Sequence, residues 1–467
     1  MHQSQRLITV LISTYVVLHF VIASTFYSST LALDNINNER MISARNSILE
    51  MEPEEMNSIV GSSVPTNMAN ELLKNFDPLL SVPFYIYKDF DWLSESSSAT
   101  VGNYTFREWI ELSEEDRSLK FRDDDDLKFY LSAVNHPMRV KRPEDAKLFL
   151  APLLSTYIGL NLVYGTPTLV CNNGICGKDL LKHLNDVLKK SIWFQRHEGY
   201  DHIVLLTTST WLYSQTRSKT YRYIKRCNVL QFGQNQYNYV DDDRLRFDSF
   251  YVGNRCPSVP FEEKTHDVAL IANVWKENSK KTGHSNKKKD ILNFQDRRNI
   301  CEWTNSTEFK SKHSIDVCGK GDQCPALSNA RLGFHPRGDT RSANRLFDTL
   351  LSGTVPIFTL DLQFTAHQNF IDWNKLVYFI RMGEGTNEAS FYHKLDVILN
   401  DKKKIEKKTT NVIDNQDLFD WNTPVPFDTY MYMYQAHLWP DTRLPVDRSK
   451  YSALIMPPPL TPSLAEK

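Results

Sequence analysis

The stretch Phe334-His335-Pro336-Arg337-Gly338-Asp339-Thr340-Arg341-Ser342-Ala343-Asn344-Arg345-Leu346-Phe347-Asp348-Thr349-Leu350-Leu351-Ser352-Gly353-Thr354-Val355-Pro356-Ile357-Phe358 reads as strand, turn, helix and strand. Arg331-Leu332-Gly333-Phe334 leads in as a short strand, which Pro336 and Gly338 break. Leu346, Phe347, Leu350 and Leu351 form an apolar helical stripe within residues 342–352, and Gly353 stands where a left-handed C-cap belongs. Val355-Pro356-Ile357-Phe358 is the next strand. A strand, a helix and a second strand in so short a span make a parallel crossover, the unit of an α/β sheet.

The same alternation extends to both sides. Towards the N-terminus, strands are expected at residues 82–87, 146–151, 202–206, 229–232 and 268–274, with helices at 127–134, 180–194 and 290–303. Towards the C-terminus a strand is expected at 375–380. The expected fold class is α/β, with two Rossmann-like domains facing a cleft and a boundary near residue 260. The domains are expected at 79–260 and 261–467, and the Trp-, Tyr- and Pro-rich end is free to pack on either. Residues 34–78 are polar and aperiodic and read as a stem.

Residues 7–26 carry no charge and follow Arg6, and their length matches a bilayer core. Within residues 1–33 they read as a signal anchor with a cytosolic N-terminus, with a cleaved signal peptide as the competing reading. Either places the rest of the chain in the secretory lumen. Asn103-Tyr104-Thr105 and Asn305-Ser306-Thr307 are glycosylation sequons that agree with that compartment. Seven cysteines would mostly pair there. Cys171 and Cys176 flank an Asn-Asn-Gly turn and are expected to bond, and Cys318 and Cys324 flank a similar Gly-rich segment. The odd cysteine stays a thiol or bonds to another chain, which leaves a homo- or hetero-oligomer open. Lys plus Arg total 55 against 56 Asp plus Glu, so no broad basic face exists to bind nucleic acid.

In open α/β sheets, ligands bind beyond the carboxyl ends of strands, where the turn after Phe334 lies. Backbone N–H groups at a helix start suit a pyrophosphate. Arg337 and Arg345 can add bidentate bonds to it, Gly338 admits close backbone approach, and Thr340 or Ser342 can cap the helix or bond a phosphate oxygen. Asp348, one turn after Arg345, can accept from ribose hydroxyls. The plainer alternative is a surface Arg345–Asp348 ion pair. Asp241-Asp242-Asp243 and residues 123–126 look like metal-binding carboxylate runs, yet both fall in polar segments and are expected to be solvated, so no metal is assigned.

Pro336-Arg337-Gly338, Ser342, Arg345, Asp348 and Val355-Pro356 together resemble the exostosin family of glycosyltransferases. Two further segments carry the likeness in the same order. They are Arg142-Pro143-Glu144-Asp145-Ala146 running into an apolar strand that ends at Pro152, and Trp193-Phe194, Arg196, Gly199 and Asp201-His202 before the strand at 203–206. The resemblance spans residues 80 to 382 and departs at Asp348, where many members carry Glu. It implies an inverting GT-B enzyme, anchored as a type II protein in the Golgi membrane by one N-terminal helix. It further implies transfer of a sugar from a nucleotide-sugar, a UDP-sugar acting as co-substrate, to a glycan or glycoprotein acceptor, with no integral cofactor. Arg345 and Asp348 carry over to pyrophosphate and ribose. An inverting transfer needs a base from the first domain. His202 and Asp201 are the nominees from their motif, with a structural role as the alternative and with His136 and Asp89 left open. The competing function is a non-catalytic glycan-binding or partner subunit. A sulfotransferase is disfavoured because residues 82–91 hold no glycine for a phosphosulfate loop.

Overall fold

The computed structural model describes residues 78–112, 125–155, 157–158, 169–206, 222–232, 246–249, 256–272, 287–319, 323–336, 345–359, 371–382 and 386–439. The expected anchor and stem, the Asp241–Asp243 run, and Arg337, Gly338, Thr340 and Ser342 lie outside them.

Along the first part run β1 (Phe84–Ile86), β2 (Thr100–Val101), β3 (Tyr104–Thr105), β4 (Arg139–Val140), β5 (Leu148–Ala151), β6 (Val170–Asn172), β7 (Ile175–Cys176), β8 (His202–Leu206), β9 (Asn228–Phe232) and β10 (Arg246–Ser249). Between them lie α1 (Phe106–Glu111), α2 (Asp125–Val134), α3 (Lys178–Lys190) and α4 (Ile192–Arg196). The second part holds β11 (His266–Ile271), α5 (Lys287–Thr304), α6 (Thr307–Lys312), β12 (Ile315–Gly319), α7 (Gln323–Asn329), β13 (Ala330–His335), α8 (Arg345–Leu351), β14 (Val355–Phe358) and β15 (Tyr378–Phe379). Three helices follow, α9 (Glu388–Asn400), α10 (Lys402–Asp414) and α11 (Val425–Leu438).

Two parallel sheets result. The first runs β10-β9-β8-β5-β1-β4 and the second β12-β11-β13-β14-β15. In the chain, residue 260 lies between β10, the last strand of the first sheet, and β11, the first strand of the second. Central strands such as β5 and β14 are apolar and buried at every residue, as expected where helices cover both faces of a parallel sheet. A small antiparallel sheet, β3-β2-β6-β7, is fastened by the Cys171–Cys176 disulfide across directly paired residues. Cys318 and Cys324 do not bond to each other. Cys318 joins Cys301 and Cys324 joins Cys256, so each ties a helix to a neighbouring segment. Cys227 is buried outside these disulfides, with its thiol directed at the Tyr223 carbonyl.

The segment expected as one helix over 180–194 is two. Ser191 is extended, closes α3 and caps α4 by accepting from the Phe194 amide. The lysines of residues 402–408 lie in the first half of α10. Lys408 is buried and donates to the carbonyls of Asn374 and Val377 against the face of Tyr378. Asp126 is also buried, which corrects the expectation of a solvated acidic run there. α11 packs on the first sheet. Asp428 of α11 accepts from the Leu79 and Leu80 amides and from His136 Nε2, and Gln435 accepts from the Ser81 and Val82 amides. Phe427 packs at 5.5 Å from Phe84 and 4.7 Å from Phe129.

Candidate active site

Relabelled within the second sheet, the strand order is 2-1-3-4-5. Such a sheet has its switch point between the first and third strands, here β11 and β13, and ligands sit outside their carboxyl ends. β13 ends there at His335, and α8 opens with Arg345. α8 is seated firmly. A Cβ on Gly333 of β13 would meet Thr349 Cγ2 at 2.9 Å, so only glycine lets helix and strand approach this closely. The helix ends in a Schellman cap, with Thr354 N–H donating to the Thr349 carbonyl, Gly353 N–H donating to the Leu350 carbonyl, and Gly353 at φ 67°.

Six of the seven residues of α8 are buried, Asp348 among them. A solvent-exposed Arg345–Asp348 pair is therefore not what the fold builds. Arg345 is partly buried, and its Nη1 is shielded from water with no hydrogen-bond partner among the described residues. Burial, and then the like charge of Arg297 on α5, push its guanidinium down to about 10, against the pull of Asp348. His335 is fully buried. Burial and the charges of Arg345 and Arg297 hold its imidazole well below the usual range, hence neutral. Arg345 and Asp348 are thus brought together, joined by two groups the sequence did not single out. His335 stood inside the quoted stretch, at the strand end. Arg297 lies on a helix with no motif to mark it.

Asp201 and His202 sit elsewhere, at the amino end of β8. His202 Nδ1 bonds Asp201 at 2.7 Å, and Nε2 bonds the Tyr87 hydroxyl at 2.7 Å, which also meets Ser191. The imidazole stacks on Phe149 with centroids 4.8 Å apart. Burial opposes the Asp201 charge, but His202 and Arg196 more than offset it and hold the carboxyl below its usual value. With both ring nitrogens engaged and ring burial complete, this pair pins β8 to β1 and α4. It has no face for a substrate hydroxyl. His136 is likewise spent, on Asp428 and the Met138 amide.

Asn103 is exposed in the turn joining β2 and β3, and Asn305 is exposed beyond α5, where its amide donates to the Cys301 carbonyl. Among the described residues no cluster of three His, Cys, Asp or Glu side chains stands ready for a metal.

A match to the exostosin GT47 domain covers residues 124–391. The chain is 23% identical over 318 residues to the probable arabinosyltransferase ARAD1 of Arabidopsis thaliana, covering 67% of this chain and 66% of that protein. It is 24% identical over 247 residues to the xyloglucan galactosyltransferase XLT2 of the same plant, covering 49% of this chain and 44% of that one. The chain thus spans between about half and two thirds of these relatives. Among solved structures it is similar to the pneumococcal O-GlcNAc transferase GtfA in complex with UDP and GlcNAc. That likeness has 10% identity and a TM-score of 0.30 over 59% of this chain and 66% of the other. The matched domain starts just before α2 and reaches into α9, taking in the second sheet, the first sheet apart from β1, and Arg297, His335, Arg345 and Asp348, and the chain belongs to the exostosin GT47 family of glycosyltransferases.

Proposed function

We propose that this protein transfers a sugar, with inversion, from a UDP-sugar to a glycan or glycoprotein acceptor, as a GT-B enzyme. We place it in the Golgi as a single-pass type II protein, with residues 1–33 as anchor and its catalytic part lumenal. The donor lies beyond the carboxyl ends of β11 and β13. Arg345 holds the diphosphate, Asp348 faces the ribose, and Arg337, Gly338, Thr340 and Ser342, which lie between β13 and α8 in the chain, add further donor contacts.

The observation that carries this reading is the Arg345 guanidinium, shielded from water with one N–H group unmatched among the described residues and beside a second cation. A buried charge without a full set of partners costs stability unless a ligand supplies them. A diphosphate offers that fork of oxygens, and its charge grows as the sugar departs, so the contact strengthens in the transition state. Neutral His335 adds no charge of its own and can share in donor orientation.

The relatives' names direct the choice of probes to galactose and arabinose donors. Calorimetry with UDP, followed by UDP release from UDP-galactose, UDP-arabinose, UDP-xylose, UDP-glucuronic acid and UDP-N-acetylglucosamine, tests the proposal. Micromolar UDP binding with release from at least one sugar is expected. Binding without release from any would favour the partner-subunit reading, and absence of binding would remove the donor site.

A further inference from the structure

Resting on the glycosyl-transfer reading above, we propose that His183, oriented by Asp89, is the base that takes the proton from the acceptor hydroxyl. The first sheet has the same strand order as the second, with β4 on one side of β1 and β5 on the other. Its switch point therefore lies at the carboxyl ends of β1 and β5. Asp89 stands there, in the single 3-10 turn Lys88–Phe90 that follows β1. Its main chain is fixed, because Asn172 Nδ2 donates to the Asp89 carbonyl at 2.7 Å and Phe90 is fully buried. His183 projects from α3, its ring 5.9 Å from that of Phe90, and its Nε2 lies 3.1 Å from Asp89 Oδ1.

Both side chains remain reachable, at 27% exposure for His183 and 41% for Asp89. That separates them from the other candidates. His136 and His202 are buried with both nitrogens engaged. His197 precedes β8 and so lies at the opposite, amino edge. Asp91 is taken by Arg139 and Tyr130. Among the described residues at the carboxyl edge of the first sheet, the Asp89–His183 pair is the accessible carboxylate–imidazole couple.

The carboxylate keeps the imidazole proton on Nε2 and leaves the Nδ1 lone pair to act. The acceptor O–H gives its proton to Nδ1 as its oxygen bonds to the anomeric carbon. The bond from that carbon to the diphosphate oxygen breaks, and its electron pair leaves on UDP. The imidazolium so formed is stabilised by Asp89 until water removes the proton.

The test uses UDP release with water as acceptor, on the UDP-sugar that the wild-type protein turns over, with UDP calorimetry in parallel. General-base catalysis contributes about 100- to 10,000-fold. His183→Ala and the fold-preserving His183→Gln should each lower kcat at least 100-fold, with donor KM and UDP affinity within twofold. Free imidazole should restore part of the His183→Ala rate. Asp89→Asn, a change at a positioning residue, should lower kcat about tenfold with KM unchanged. A folded His183 variant within threefold of wild-type kcat, or one that raises KM alone, overturns the assignment while leaving the donor site standing. Wild-type protein that binds no UDP, or binds it and releases none from any sugar, defeats the transfer reading and the base with it.

Discussion

Replacing Arg345 with methionine should make the ligand-free protein more stable and leave it unable to bind its donor. The guanidinium falls from its ordinary value to about 10 because it is buried beside Arg297. At about 1.4 kcal/mol per pKa unit, its charged form is disfavoured by roughly 3 kcal/mol in the folded state. Methionine keeps the apolar stem and removes the charge. Relaxation recovers part of the penalty already, so a gain of about 1–2 kcal/mol is expected, or a rise of a few degrees in melting temperature. In wild-type protein, UDP at a hundredfold excess over its Kd should add about 2.7 kcal/mol of stability. In Arg345→Met that increment should vanish. Arg345→Lys should recover little of it, since an ammonium cannot present two parallel N–H groups to the diphosphate. Differential scanning fluorimetry with and without UDP reads both effects. If Arg345→Met melts several degrees lower and still gains its full increment with UDP, Arg345 is a structural cation and the donor site lies elsewhere.

Three further outcomes follow from the packing. Lys264 donates to the carbonyls of Ser328 and Ser352 and to Thr354 Oγ1, and burial, then Arg331, push its ammonium down to about 7. Between that value and its unfolded value of about 10.4 the unfolded chain binds the extra proton, so this group makes stability rise with pH. Lys264→Met should flatten the thermal profile between pH 7 and 9, measured by scanning calorimetry. By loop-closure entropy, removing Cys256–Cys324, with a separation of 68, should cost about 4 kcal/mol, against about 2 for Cys171–Cys176 with a separation of 5. Urea midpoints of the paired alanine variants should fall in that order. Asp428→Ala removes the carboxylate partner of the Leu79 and Leu80 amides and of His136 Nε2. About 1–3 kcal/mol is expected for each buried group left unpaired, seen as an earlier urea transition.

Much of the sheet framework was legible because buried parallel strands announce themselves as unbroken apolar runs. His202–Leu206 and Val355–Phe358 fall where the sequence placed them, and the Gly353 cap is where glycine alone is comfortable at positive φ. What escaped lacked a period. β4 and β7 are two residues long, too short to alternate. α11 is apolar nearly all round because it is buried on every side, so no amphipathic stripe marks it. Of the candidate site, Arg345 and Asp348 were readable from one local motif. Arg297 was not, since only the crossing of α5 over the sheet brings it near. His202 drew attention through the same strand-start motif that makes it structural. His183 lay on the polar side of an ordinary amphipathic helix, where nothing but the neighbouring Asp89 sets it apart.

The hydrogen bonds from Asp428 and Gln435 to residues 79–82 join the last described helix to the segment that opens the first sheet. Synthesis proceeds from the N-terminus, so β1 emerges long before the helix that covers it. The second sheet has all its strands by residue 379 and can close while the chain is still being made, whereas the first waits until α11 at Val425–Leu438 has emerged. During that wait Phe84, Phe129 and His136 lack the Phe427 side of their core. A chain cut short before residue 425 would therefore lose its N-terminal sheet first, and chaperones would meet it there.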